Sequence, residues 1–160
     1  MKFGVISDTH DQAERTAAAV ERLRRSGARV LFHCGDFTDA GLMGLFKGIR
    51  TYAVRGNNDW DEAGLRGAAK AAGVVWLGAG GMAEEGGCRV ALTHGHLPKM
   101  REQLLLTKPD FLFLGHSHRR HETIESGVKV VNPGALYRVV PKTCALVDSR
   151  TGVVSFLEIA

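Results

Sequence analysis

Histidine, aspartate and asparagine gather in five short clusters along this chain. Asp8-Thr9-His10, Gly35-Asp36, Gly56-Asn57-Asn58-Asp59, Thr93-His94-Gly95-His96 and Gly115-His116-Ser117-His118 each follow an apolar run of strand-like composition. Imidazole nitrogens with carboxylate and amide oxygens are donors that hold divalent first-row metals. In open α/β sheets ligands bind beyond the carboxyl ends of strands, so five such junctions can converge on one crevice. Residues two apart on an extended segment share a side, which lets Asp8 and His10 approach one ion together. On the same reading His116 and His118 lie roughly 6.5 Å apart along the chain. That is too far for easy chelation of one ion. It suits two ions about 3.5–4 Å apart, each taking one imidazole. Two dications that close repel each other and need a bridging carboxylate. Asp36, at the end of a central strand, is the natural bridge.

The expected site is therefore binuclear. Asp8, His10, Asp36 and His118 hold one ion; Asp36, Asn57, His94 and His116 hold the other. Only two carboxylates face the two dications, so the site keeps a net positive charge. Such a site favours a bridging hydroxide and an anionic substrate such as a phosphate ester, because bound metals make a nucleophile from water at neutral pH. Asp-X-His or Gly-Asp alone is weak, and Gly-His-X-His is moderately specific. All of them together, in this order and each at a strand end, are hard to assign to packing. Left empty, the same residues would crowd polar groups together with few partners.

The elements that must position these residues follow from periodicity. Residues 2–7, 29–34 and 51–55 read as strands. Ala13, Ala17, Val20 and Leu23 recur at helical spacing between Asp11 and Arg25, with Gly27 as a stop. A second helix is expected from Asp61 to Ala72, closed by Gly73, and a short, glycine-weakened one over residues 40–48. This alternation implies a parallel sheet. The second half changes character. Hairpins are expected at Gly86-Gly87 and Ser126-Gly127, and another joins residues 143–147 to 153–157. A helix near Lys99–Leu106 precedes the strand Phe111–Leu114. Two mixed sheets packed together, with helices outside, satisfy both halves.

Composition narrows the class. A chain of 160 residues, 44% hydrophobic and 24% charged, fits a single domain over residues 1–160 with a proper core. No apolar run approaches the ~18 residues needed to span a bilayer, and no leader pattern opens the chain, so a cytoplasmic location is the expectation. Three widely spaced cysteines, Cys34, Cys88 and Cys144, suggest neither a disulfide framework nor a thiolate zinc site. Cys34 reads as a small buried strand residue. The net charge of +4 mildly favours an anionic substrate.

The order of the five clusters resembles the calcineurin-like metallophosphoesterase family. Its pattern runs Asp-X-His, Gly-Asp, Gly-Asn-His-Asp/Glu, Thr-His-Gly-His and Gly-His-X-His. The short length and Asn132-Pro133-Gly134 look most like the small YfcE-type phosphodiesterase branch. The resemblance implies a four-layer αββα sandwich, binuclear phosphoester hydrolysis and the same two ligand sets. It also marks a departure: many members carry a His where this chain has Asn58, a residue thought to protonate the leaving group or stabilise the transition state. An amide donates a hydrogen bond but is no general acid near neutral pH. Poor activity on alkyl monoesters and better activity on diesters with good leaving groups are expected.

The leading reading is thus a metal-dependent phosphodiesterase acting on a small phosphodiester or nucleotide-like substrate. Manganese is the foremost ion; nickel, iron, cobalt and zinc fit the same donors. Asn58 and His96 are the candidate substrate-facing residues. For His96, support of His94 carries equal weight. His33 either orients a group near Asp36 or ends its strand. Asp59 either orients a ligating histidine or caps the next helix. Arg119, Arg120 and His121 read as exposed loop residues, and Arg138 carries a minor chance of touching phosphate. Two alternatives stand beside this reading. One is a non-catalytic interaction module, since the family's fold also resembles a retromer subunit. The other is a nuclease or nucleotide phosphatase, although no aromatic-rich basic strip suits long nucleic acid. The apolar second half leaves room for a homo-oligomer face.

Overall fold

The computed structural model describes residues 1–160. Eleven strands form two sheets. In chain order they are β1 Lys2–Ile6, β2 Ala28–His33, β3 Arg50–Ala53, β4 Val74–Trp76, β5 Gly80–Glu85 and β6 Cys88–Thr93. β7 Phe111–Phe113, β8 His121–Glu125, β9 Val128–Asn132, β10 Lys142–Asp148 and β11 Val154–Ile159 complete the set. Helices α1 Ala13–Arg25, α2 Glu62–Ala72 and α3 Pro98–Leu106 connect them, with a 3-10 segment at Ala40–Phe46. The first sheet has the order β11-β10-β1-β2-β3-β4 and the second β5-β6-β7-β9-β8. β1 to β4 run parallel, as do β6, β7 and β9; β5, β8, β10 and β11 pair antiparallel. Both sheets are therefore mixed, as expected.

Strand alternation sorts the apolar residues into three buried layers. Phe3, Val5, Val30 and Phe32 of the first sheet meet Val90, Leu92, Phe111 and Phe113 of the second between the sheets. The opposite face of the first sheet, with Ile6 and Leu31, packs on Val20 and Leu23 of α1, Leu65 of α2 and Phe46. The outer face of the second sheet, with Ala91, Leu112 and Val130, packs on Leu104 of α3. Helix, sheet, sheet, helix is the resulting order. The central strands are covered on both faces, which is why they read as continuous apolar runs. Each fully buried Phe or Leu contributes about 1.5–3 kcal/mol of transfer free energy.

Boundaries differ from the sequence reading in small ways. The stretch after β2 winds as a 3-10 turn, with the Asp39 carboxylate accepting from Gly41 N at 2.8 Å. Helix α1 starts at Ala13 and α3 at Pro98. The strand β4 was not expected; three residues carry too little periodicity to distinguish it from a loop. No helix is long and apolar enough to cross a membrane.

Candidate metal centre

The carboxyl ends of β1, β2, β3, β6 and β7 meet at one edge of the sandwich, and backbone hydrogen bonds stitch the loops they release. Asp8 N donates to Gly35 O at 3.0 Å, His10 N to Asp36 O at 2.8 Å and Gly115 N to His94 O at 3.0 Å. The loops are not extended. Asp8, His10, Asp36, His116 and His118 have φ of 52°, 45°, 62°, 70° and 60°. Few non-glycine residues adopt this left-handed region, and each costs on the order of 1–3 kcal/mol. The strand-spacing argument for Asp8/His10 and His116/His118 is thereby corrected. The pairs do converge, but sharply turned backbone aims them, and rise along an extended chain does not set their separation.

Asp8, His10 and His118 bring ligand atoms within 4.8 Å of one another. Asp8 is fully buried and fixed through one oxygen: Oδ2 accepts Ser7 Oγ–H at 2.6 Å and His116 N–H at 3.1 Å. Its Oδ1 lies 3.1 Å from His118 Nε2 and accepts no hydrogen bond, and His10 Nε2 is likewise buried without a partner. The Asp8 carboxylate beside His118 raises that imidazole's pKa against the opposing effect of burial. For His10 burial dominates and lowers it, despite Asp36 and Asp8. Gly115 makes this corner: a Cβ there would stand 1.9 Å from Ser7 Oγ and 2.6 Å from Asp8 Oδ2.

Asp36, Asn57, His94 and His116 form the second group. His94 Nδ1 faces the Cys34 carbonyl at 2.7 Å. A carbonyl only accepts, so Nδ1 carries the proton and the neutral ring turns its lone pair out at Nε2. That nitrogen meets other acceptors: Asn57 Oδ1 at 3.0 Å, Asp36 Oδ2 at 3.5 Å and Asp8 Oδ1 at 3.9 Å. His116 Nδ1 approaches the same Asn57 Oδ1 at 3.1 Å. Asp36 Oδ2 also lies 3.7 Å from His10 Nε2, so this one oxygen stands between the two groups. Acceptors gathered without donors call for a cation. The same acceptors bear on His94 itself. Burial would lower that imidazole's pKa, but Asp36, Asp8 and the Cys34 carbonyl outweigh it and raise it. Burial alone would raise Asp36, but His94 and two donors from Asn58 hold it below the usual carboxylate range.

These orphaned and mutually facing acceptors fit a divalent metal pair, and all seven expected ligands surround the same crevice. Asp8, Asp36 and His94 lie on its floor with 0%, 2% and 0% of their side chains exposed, while His118 at 29% lies toward its rim.

The secondary residues resolve differently. Asn58 donates its backbone N–H to Asp36 Oδ1 at 2.9 Å and its side-chain amide to Oδ2 at 2.8 Å, so it holds the central carboxylate. His96 makes no bond to His94. Its ring lies 5.3 Å from that of His94 and 6.1 Å from that of His116, with Nδ1 buried and unpartnered. Burial, then these two neighbours, lower its pKa. Asp59 neither orients a histidine nor caps α2. It accepts the N–H groups of Asp36, Thr38 and Gly56 at 2.8, 2.8 and 2.7 Å, and Asp61 is the cap. Burial still raises the Asp59 carboxyl against those three donors. His33 Nδ1 accepts Gly35 N–H at 3.1 Å and Nε2 donates to Thr9 Oγ at 3.0 Å, tying the first two loops together. Cys34 is buried as expected. His121 begins β8 instead of lying in a loop.

Three further residues adjoin the site, none of them given a role there by the sequence. Asn132 Nδ2 donates to Gly115 O at 2.9 Å and Ser117 Oγ at 3.1 Å, bracing the last loop. The Tyr137 ring lies 4.2 Å from that of His10. Trp60, 83% exposed, follows the third cluster directly. Only this adjacency could have flagged it. A cavity of about 610 Å³ at the start of α1 contains none of the candidate ligands.

Comparison with known proteins identifies the family. Residues 1–152 match the calcineurin-like phosphoesterase superfamily domain, and the chain belongs to that superfamily. It is 28% identical to Phosphodiesterase MJ0936 of Methanocaldococcus jannaschii, across 84% of this chain and 83% of that protein. The solved structure of an archaeal phosphodiesterase superposes with a TM-score of 0.90 at 25% identity, covering 100% of both chains. The E. coli phosphoesterase YfcE shares the fold, with a TM-score of 0.69 at 20% identity over 100% of both.

Proposed function

We propose that this chain is a metal-dependent phosphodiesterase for small phosphodiesters, built as one domain over residues 1–160. Two divalent ions, manganese foremost, are held by Asp8, His10, Asp36 and His118 and by Asp36, Asn57, His94 and His116. The observation that carries this reading is Asp36 Oδ2, which stands 3.7 Å from His10 Nε2 and 3.5 Å from His94 Nε2. When bound, such ions lower the pKa of water and offset charge on a phosphoryl group. The chain's own residues supply the rest. Cys34 O fixes the His94 tautomer, and Asn58 and Asp59 hold the side chain and backbone of Asp36. On this reading His96, its pKa lowered by burial and its Nδ1 unpartnered, bonds a substrate oxygen from the side of His94 and His116. Asn58 can donate to a phosphoryl oxygen but cannot protonate a leaving group. This supports preference for diesters with good leaving groups.

The test is hydrolysis of bis-p-nitrophenyl phosphate by metal-stripped protein reloaded with manganese, nickel or zinc, beside p-nitrophenyl phosphate. Ion-dependent turnover of the diester, lost in His116→Ala, is expected. Absence of both turnover and bound metal would overturn the reading and favour an interaction module.

A further inference from the structure

A second feature adjoins the metal centre. A cavity of about 340 Å³ is lined by His10, Thr38, Asn58, Trp60 and Asp61. Two of these, His10 and Asn58, also face Asp36 Oδ2, at 3.7 and 2.8 Å. The cavity therefore opens directly beside the central carboxylate. Trp60 is its only large apolar wall. A single exposed hydrophobic residue needs no explanation by itself. Trp60 differs because its indole is tied to the site. The indole N–H donates to Asn57 O at 3.2 Å, and Asn57 is a candidate ligand. The residues on either side are tied as well, Asp59 by three backbone donors and Asp61 as the cap of α2. The result is a bare aromatic face at the rim of the site.

We infer that Trp60 is a stacking platform for the nucleobase of a nucleoside phosphodiester, and that it sets substrate selectivity. The inference rests on the phosphodiesterase reading above. A phosphoryl group at Asp36 directs one ester substituent into this cavity, where its ring covers the indole. The other walls are a hydroxyl, an amide, an imidazole and a carboxylate. They suit a ring with polar edges better than a hydrocarbon. Base–aromatic stacking tolerates any base, because every base has a π-face. Selectivity is thus for the presence of a base and not for its identity.

The experiment compares adenosine 2′,3′-cyclic phosphate with glycerol 1,2-cyclic phosphate, which carries the same reacting ring without a base. On manganese-loaded protein, Trp60→Ala is expected to lower the ratio of the two kcat/KM values about tenfold or more, mainly through KM for the nucleotide. Trp60→Phe should keep most of the ratio. An unchanged ratio in Trp60→Ala overturns the inference. Indole fluorescence gives a readout without turnover. Adenosine 5′-phosphate should quench it saturably, ribose 5-phosphate should not, and the quench should vanish in Trp60→Phe. If neither cyclic diester is hydrolysed, bis-p-nitrophenyl phosphate decides the phosphodiesterase reading and the quench alone decides the platform. Equal effects of the two ligands on fluorescence would then overturn it.

Discussion

The Asp59 carboxylate accepts the backbone N–H of Asp36 at 2.8 Å, so one buried acid fixes the main chain of another. Asp59 Oδ2 also takes Gly56 N–H, and Oδ1 takes Thr38 N–H. The loops after β2 and β3 are thereby locked around Asp36. Gly56 permits the approach: a Cβ on it would stand 2.1 Å from Asp36 Oδ1. Asp59→Ala strands three donors and should cost about 3 kcal/mol or more. Asp59→Asn can still accept at one oxygen and should cost about 1–3 kcal/mol. Urea unfolding of the metal-free protein measures both, and equal stability of wild type and Asp59→Ala would refute this role.

Asp36 separates the two donor groups, so it tests the pair directly. Metal analysis after dialysis should give two manganese ions per wild-type chain and at most one for Asp36→Asn. Ions that bind only the folded state raise the melting temperature, by about 2.7 kcal/mol of stabilisation at a hundredfold excess over Kd. Chelation should remove that increment in the wild type and a smaller one in Asp36→Asn. Two ions retained by the variant would remove Asp36 from the bridging position.

Asn58 stands in the motif position where the family resemblance implies a proton-donating histidine in many members. Asn58→His should raise kcat/KM for alkyl diesters relative to p-nitrophenyl diesters by about tenfold, since positioned acids contribute about 10²–10⁴-fold in favourable cases. It also removes an amide donor from Asp36, so metal content must be measured alongside. An unchanged ratio at full metal occupancy would show that protonation does not limit the reaction.

His33 gives a pH dependence to the fold. Burial, then neighbouring His94, depress its pKa to about 3, and its ring stacks 3.6 Å from Phe37. Below the ordinary value of 6.5 the unfolded chain binds a proton that the folded ring refuses. The stability is present above pH 6.5 and is lost as pH falls toward 3. Between pH 7 and pH 5 the stability gap between wild type and His33→Gln should narrow by about 2 kcal/mol. Denaturation at both pH values measures the gap, and a constant gap would contradict a neutral His33.

Much of the centre was legible because its chemistry is carried by residue types that rarely cluster without a partner. Asp8, His10, Asp36, Asn57, His94, His116 and His118 follow apolar runs whose alternation identifies strands, and parallel strands release their loops at one edge. The aim of the side chains was not legible. Left-handed φ at five of these residues depends on loops braced from outside, by Asn132 on the Gly115–His118 turn and by Asp59 on Asp36. Asp59 and Asn132 stand in clusters plain in the sequence, but which distant loop each one braces is not marked there.

Trp60 shows the same division. Its position after Asn57-Asn58-Asp59 is plain in the sequence, but its exposure and the bond to Asn57 O exist only in the folded loop. The sequence by itself determined which donors this protein owns, their order, and the alternating strands and helices that carry them. Those depend on residue type and short-range periodicity. The tertiary structure alone decided that Asp36 Oδ2 stands between two groups of donors, that Cys34 O selects the His94 tautomer, and that Asp59 braces the backbone instead of capping a helix. Each of these is a contact between loops brought together by two sheets packing face to face, which sequence spacing does not encode.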